Sequence, residues 1–513
     1  MRSTAERHEY LNTRLVPRRT LVTAGAVAGG LLTGCSASGT PARTAAVRTS
    51  VTAAAGSSSD KAPGGAVAPF GRHLAFGADP RTSMRISWQV PAPVDRPFVR
   101  LGARPDGLGE RIGAEVRALH TPGVAGERPA VEQYYLHVAL DDLLPGTTYH
   151  YGVGHDGYDP ADPEHRAGLA SFRTAPARPE RFTFTAFGDQ GVGGAAAAND
   201  SLLLDCRPAF HLHAGDLCYA DGSGQGRTSD AYDPTAWDPF FRQNEPVARG
   251  VPWMVTTGNH DMEAWYSPDG YGGHLARFSL PGTGFDPRTA PGVYAFTYGN
   301  VGVVALDAND VSYEIPANLG YAQGRQTAWL DRTLKGLREA DGVDFVVVFF
   351  HHCAYSTSAH ASDGGVRAEW VPLFARYTVD LVVNGHNHVY ERTDALRDGA
   401  VGRVVPVGGS TDPRRDGTVY VTAGGGGRDL YGFPADAPES YEGHEREGDA
   451  IGTFHWTRGG RSAPETVTWS RVRYRGFSLL SVEAEPGPAP RLTVSALASD
   501  GGRVDHFEVR RGV

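Results

Sequence analysis

From residue 181 onward the chain repeats one pattern five times: a short, nearly unbroken apolar run that stops on a polar signature. "RFTFTAFGDQG" stops on Asp189, and "AFHLHAGDLCYAD" on Asp216 and Tyr219. "VPWMVTTGNHD" stops on Asn259 and His260, "DFVVVFFHHCAYS" on His351, and "DLVVNGHNHVYER" on His386 and His388. Short apolar runs bounded by turn residues predict strands buried on both faces. Between them "GRQTAWLDRTLKGLREA" (324–340) carries apolar positions at helical spacing. Buried strands alternating with helices predict an α/β core over residues 181–513, and in such cores ligand sites gather beyond the carboxyl ends of strands. All five signatures stand there. The later runs "GTVYVTAGGGG", "GFSLLSV" and "RLTVSAL" are expected to complete a second sheet.

Residues 67–177 follow a different pattern. "MRISWQV" and "YYLHVAL" have strand composition, "TTYHYGVG" alternates, and Gly and Pro punctuate the block. This predicts an all-β sandwich. It holds no cluster of charged or histidine residues that suggests chemistry, so its expected role is structural or in orienting substrate. No internal repeat is visible.

The first 66 residues are neither. Arg14, Arg18 and Arg19 precede an uncharged, largely apolar stretch from Leu21 to Leu32. That stretch is too short to span a bilayer but right for a signal segment. The Arg18-Arg19 pair resembles a twin-arginine signal. "LTGC" (Leu32 to Cys35) resembles a lipobox, which implies cleavage after residue 34 and a lipid on Cys35; the alternative is a plain secretory signal with a chance cysteine. Residues 35–66, rich in Ala, Ser, Thr and Gly, are expected to form a flexible tether. These features predict a bacterial exported protein, held at the cell surface or released, with no other membrane contact.

Composition changes this picture little. A length of 513 residues suits two or three domains. Basic residues number 49 and acidic ones 58, for a net charge of −9. Lys61 and Lys335 are the only lysines, and no basic patch appears, which argues against nucleic-acid binding. Beyond Cys35 only Cys206, Cys218 and Cys353 remain, too few for a disulfide scaffold, though one bridge is possible. Nothing in the sequence sets the oligomeric state.

The candidate chemistry lies in Asp189, Asp216, Tyr219, Asn259, His351, His386 and His388. In extended backbone His386 and His388, two apart, would point to the same side, an arrangement that a bound cation rewards. Seven mixed nitrogen and oxygen donors exceed the needs of one transition ion and suit two that share a carboxylate. Imidazole, carboxylate and phenolate suit Fe, Zn or Mn.

The blocks "GDQG", "GDLCY", "GNHD", "VFFH" and "GHNH", in this order, resemble the five-block pattern of the purple acid phosphatases, within the calcineurin-like metallophosphoesterases. That family often carries a fibronectin-III-like N-terminal domain, so the resemblance covers roughly residues 67–513. It implies a four-layer α/β/β/α core behind the sandwich. It implies that Asp189, Asp216, Tyr219 and His388 hold a first metal, and that Asp216, Asn259, His351 and His386 hold a second, with Asp216 bridging. The implied ions are Fe(III) beside a divalent Fe, Zn or Mn. The implied reaction is hydrolysis of a small phosphate monoester by a metal-bound hydroxide. His260 and His360, the free imidazoles nearest the ligands in sequence, are the candidates for substrate contact and general acid, and Asp261 is the candidate to orient His260. "VYER" is expected to support the histidine loop.

Three features depart from the family pattern. His352 follows His351, which leaves the register arguable, although Val348 and Tyr355 favour His351. Cys353 stands where the family usually has proline. Where plant-type members often have paired histidines and a glutamate, only "SAHASDGG", with His360, is found. A phosphodiesterase acting on nucleotides or phospholipid head groups, and a non-enzymatic surface metalloprotein, remain the alternatives.

Overall fold

The computed structural model describes residues 67–124, 128–226, 231–434, 440–442 and 450–512, so the export segment, the tether and Cys35 lie outside the described residues. Eight strands between Phe70 and Arg173 form two four-stranded sheets. One has the order Phe70–Phe76, Met84–Val90, Val131–Leu140, Glu115–Thr121. The other has the order Arg111–Gly113, Phe98–Gly102, Thr148–Gly154, Ala170–Arg173. Ile86, Trp88 and Val90 alternate into the core with Leu136, Val138, Tyr151 and Val153. Ser87 and Gln89 point the other way, and Gln89 donates to Asp238 of the next domain at 2.7 Å.

The second domain holds two facing mixed sheets. The first runs Trp253–Val255, Phe210–His213, Phe182–Phe187, Ser478–Glu485, Arg491–Ala498, Arg503–Arg510, Ser410–Thr411. The second runs Tyr294–Tyr298, Val301–Ala305, Phe345–Phe350, Leu381–Asn384, Val419–Ala423, Tyr390–Thr393, Ser470–Tyr474, Ser440–Glu442. Phe345, Val347 and Phe349 bury against Phe184, Leu212 and Val482 of the opposite sheet. The intervening Val346, Val348 and Phe350 bury instead beneath the helices Arg325–Glu339 and Val371–Arg376. On the outer side of the first sheet lie Gly194–Cys206 and Trp237–Ala248, with Leu203, Phe240 and Phe241 in that layer's core. The result is helix, sheet, sheet, helix.

The five signature strands therefore do not share one sheet. Three lie in the first and two in the second. The late runs divide as well: Val419–Ala423 joins the second sheet, whereas Ser478–Glu485 and Arg491–Ala498 extend the first. Strands buried on both faces look alike in sequence whichever sheet takes them. The hairpin of Tyr294–Tyr298 and Val301–Ala305, closed by Gly299-Asn300, is an element that the five-run pattern passes over. Cys206, Cys218 and Cys353 are all free thiols, so no disulfide forms among them.

Candidate metal centre

Each signature leaves its strand at the carboxyl end and turns at once. Asp189, Asp216, Tyr219 and His386 have φ of 61°, 54°, 59° and 69°, the left-handed region that L-residues seldom adopt. Strain of this kind persists only where surrounding structure enforces it, and it concentrates at functional sites. Glycine precedes many of these turns for steric reasons. A Cβ on Gly258 would stand 2.1 Å from Asp216 Oδ1, and one on Gly385 would stand 2.7 Å from Asp189 Oδ2.

The turn at 385–389 also corrects an expectation. His386 and His388 do not share one side of an extended strand, because the chain bends through them and His386 is left-handed. They join the two donor groups to which the resemblance assigns them, one each. His388 Nε2 lies 3.0 Å from the Tyr219 hydroxyl and 3.4 Å from Asp189 Oδ1, and the hydroxyl lies 3.2 Å from that same oxygen. His386 Nδ1 lies 3.2 Å from His351 Nε2, which is 3.0 Å from Asn259 Oδ1 and 3.3 Å from Asp216 Oδ2. Ligand atoms of Asp189, Asp216 and His351 lie within 4.8 Å of one another, so the carboxylates stand between the two groups.

These residues fit metal ions. Donor atoms bonded to one ion at roughly 2.0–2.2 Å are themselves about 3 Å apart, the spacing of both groups. The hydrogen bonds on the far side of each ring set its lone pair. His351 Nδ1 is 2.9 Å from the Ala214 carbonyl, His386 Nε2 is 2.8 Å from Glu314 Oε2, and His388 Nδ1 is 2.7 Å from the Asp429 carbonyl. Each of these partners accepts an N–H, which leaves the opposite nitrogen with its lone pair facing inward. The lone pairs of His351 and His386 then confront each other, an arrangement that requires a cation. Burial opposes charge on His351, yet Asp216 and Asp189 outweigh it and raise the ring to about 9, the same demand for positive charge. Burial, with Asp189 and Asp216, pushes the Tyr219 phenol well above its usual range, so ionising it also calls for a cation there. The guanidinium of Arg428 lies 4.5 Å over the Tyr219 ring.

The remaining candidates divide. His260 packs on the Tyr219 ring at 4.4 Å, and its Nε2 is 3.9 Å from Asp216 Oδ2. Asp261 does not orient it. The His260 Nδ1 is 2.5 Å from the Asp221 carbonyl, while the Asp261 carboxylate accepts the backbone N–H groups of Asp216, Leu217 and Gly258 at 2.8–3.1 Å. Its position in the short turn Asn259–Asp261 aims it back at the chain, so it fixes the Asp216 turn instead. His351 joins the donors, whereas both ring nitrogens of His352 are buried without a hydrogen bond and the ring packs 4.4 Å from His386.

His360 stands at the rim, its Nδ1 2.5 Å from Glu314 Oε1. Glu314 itself went unnoticed in the sequence. It follows the strand Val301–Ala305, and the run "VGVVALDANDVSYE" has the same apolar-then-polar form as the other five. Within "VYER", Glu391 accepts from Ser356, Thr357 and Ser470, so it supports the approach to His360 more than the 385–389 turn.

Known proteins resemble this chain in both of its domains. A profile of the purple acid phosphatase N-terminal domain matches residues 69–174, and one of calcineurin-like phosphoesterases matches residues 182–390. An uncharacterised protein of Mycobacterium tuberculosis is 35% identical over 385 residues, covering 70% of this chain and 69% of its own. Purple acid phosphatase 18 of Arabidopsis thaliana is 29% identical over 57% of each chain. Among solved structures, a purple acid phosphatase from yellow lupin seeds superposes with a TM-score of 0.63 at 21% identity, over 87% of this chain and 75% of that one.

Proposed function

The chain belongs to the purple acid phosphatases, a family of calcineurin-like, metal-dependent phosphoric ester hydrolases, and from that premise we propose that it is a dinuclear phosphatase acting on small phosphate monoesters. The observation that carries this is the pair of donor groups, each about 3 Å across, in which two imidazole lone pairs face one another. Asp189, Tyr219 and His388 would hold one ion and Asn259, His351 and His386 the other, with Asp216 shared. When bound, the two ions supply a nucleophile from water near neutral pH and offset charge on the phosphate.

The protein's own groups do the rest. His260 and His360 each pack against a different donor group, one against Tyr219 and one beside His386 at 4.3 Å. Each can hydrogen-bond the phosphate or give a proton to the leaving oxygen. The test is elemental analysis of the purified protein beside turnover of a model monoester and a model diester. Two ions per chain with preference for the monoester is the expected result. Preference for the diester would move the assignment to a phosphodiesterase, and a metal-loaded protein inert to both would leave a structural metalloprotein.

Tyr219 bears on metal identity. A phenolate is a hard anionic donor, and its group also contains two carboxylates, which suits Fe(III) beside a divalent Fe, Zn or Mn. We expect a violet protein whose visible band disappears in Tyr219→Phe while the fold remains. A colourless, fully active wild type would remove iron from the assignment. The protein's location is proposed to be the outer cell surface, through Cys35. A Cys35→Ser form should then leave the membrane fraction, and unchanged retention would refute the anchor.

A further inference from the structure

The Glu314 carboxylate lies between two imidazoles that come from separate segments. Oε2 is 2.8 Å from His386 Nε2 and Oε1 is 2.5 Å from His360 Nδ1. Its side chain is 7% exposed. The segment that carries Glu314 is fixed from behind. Asp363 accepts the Ser312 hydroxyl at 2.7 Å and the N–H groups of Tyr313 and Glu314 at 3.0 and 3.2 Å. The same carboxylate caps the helix Gly364–Glu369 through the N–H groups of Gly365 and Val366. The backbone of His360 is pinned on both sides. Its N–H donates to Asn387 Oδ1 at 2.8 Å, and its carbonyl accepts the Trp456 indole N–H at 2.7 Å. With both backbones held, ring orientation falls to the carboxylate between them.

We propose that Glu314 is the positioning residue of the site, holding His386 as a metal ligand and His360 as a proton donor at the same time. The proposal rests on the phosphatase assignment and deepens it. By accepting the His386 Nε2–H, Glu314 leaves the lone pair on Nδ1, the atom that faces His351. By accepting the His360 Nδ1–H, it leaves Nε2 as that ring's free nitrogen, on a side chain still 32% exposed at the rim. With the His360 ring starting as the imidazolium, the ester P–O bond breaks with its electron pair on the leaving oxygen, which takes the Nε2 proton. The oxygen of water forms the new P–O bond, and the proton that water gives up restores the ring. One carboxylate thus couples retention of the second ion to departure of the alcohol.

The experiment uses the full chain with Glu314→Gln, His360→Ala and the double variant. An amide can accept only one of the two N–H groups, turns its own N–H group toward the other ring, and as a neutral acceptor holds even the first more weakly than the carboxylate. Glu314→Gln should therefore weaken retention of one of the two ions by about 10–100-fold in competition with a chelator of known affinity. At saturating metal it should slow an alkyl phosphate roughly tenfold more than an activated aryl phosphate. His360→Ala should retain both ions as the wild type does and show the same substrate-selective loss. The double variant should lose no more on the alkyl ester than His360→Ala alone. Undiminished metal retention in Glu314→Gln overturns the proposal. Equal losses on both esters overturn it too, as does a third ion bound by the wild type and lost with Glu314, which would make the trio an ion site. If Glu314→Gln does not fold, Glu314→Asp, which keeps the buried charge but shortens its reach, carries the same measurements. A wild type that hydrolyses no ester ends the phosphatase assignment but leaves the chelator competition to decide on Glu314.

Discussion

Single residues in this protein are charged or neutral according to what stands against them. Asp189 and Asp216 face imidazoles in a buried pocket and demand cations. Asp200, on the helix Gly194–Cys206, faces no cation among the described residues: Oδ1 accepts from Gln190 at 2.9 Å, and Oδ2 is buried without a partner among them. Burial raises its carboxyl to about 8. Between the ordinary value of 3.8 and about 8, the folded chain keeps a proton that the unfolded chain has released. This contribution to stability is full below pH 3.8, declines above it and is gone past about 8. Asp200→Asn should be neutral near pH 4 and stabilising by about 1–3 kcal/mol at pH 8–9, where the wild type must bury a charge. Thermal melts of both forms across that range check it, and parallel pH profiles would contradict the raised carboxyl. The candidate ligands stand out in the sequence because each has a donor chemistry that its apolar strand does not need. Glu314 does not, since a lone glutamate in a loop is ordinary until two rings arrive beside it.

At the scale of elements, the site is made by turns and the strands hold those turns in place. Gly258 lets the Asn259 turn approach Asp216, whose Oδ1 accepts the His260 N–H at 2.9 Å. Asn309 donates to the Gly258 carbonyl at 3.0 Å, so the turn has little room to retreat. Gly258→Ala should cost about 1–3 kcal/mol from overpacking and displace the shared carboxylate. The expected outcome is loss of most activity and of at least one ion from a protein that still folds, read by metal analysis beside circular dichroism. Retention of both ions would show that the turn can shift. The strand positions were legible from their apolar runs. The left-handed turns were not, because Asp, Tyr and His carry no marker for positive φ as strong as that of glycine.

Across the whole molecule, the seam between the sandwich and the catalytic domain is backed by a buried ion pair within the catalytic domain, whose arginine donates across the seam to Tyr135. Arg277 Nη1 and Glu263 Oε2 are 2.7 Å apart at 0% and 1% exposure. Trp237 donates to the other Glu263 oxygen, and Arg277 also reaches the hydroxyls of Tyr232 and, in the sandwich, Tyr135. Glu263→Gln would leave the guanidinium buried without its counter-charge. We expect a loss of roughly 3–5 kcal/mol, visible as a lower melting temperature, and partial recovery when Arg277→Met is added. Unchanged melting would mean that the tyrosines and Trp237 suffice. Arg117 adds to the same seam by donating to the carbonyls of Leu275 and Phe278 at 2.8 and 3.1 Å.

What the amino-acid order by itself determined was local: apolar runs that must be buried, an alternating block that must be a sandwich, and seven donor side chains at five strand ends. Those follow from periodicity and side-chain chemistry, which depend on near neighbours only. Tertiary structure decided which strands share a sheet, that Asp261 serves the Asp216 turn and not His260, and that Glu314 meets His360 and His386. Each of these depends on contacts between residues tens to hundreds of positions apart. Such contacts leave no period in the sequence, because the groups that satisfy them are brought together only when the two sheets close on one another.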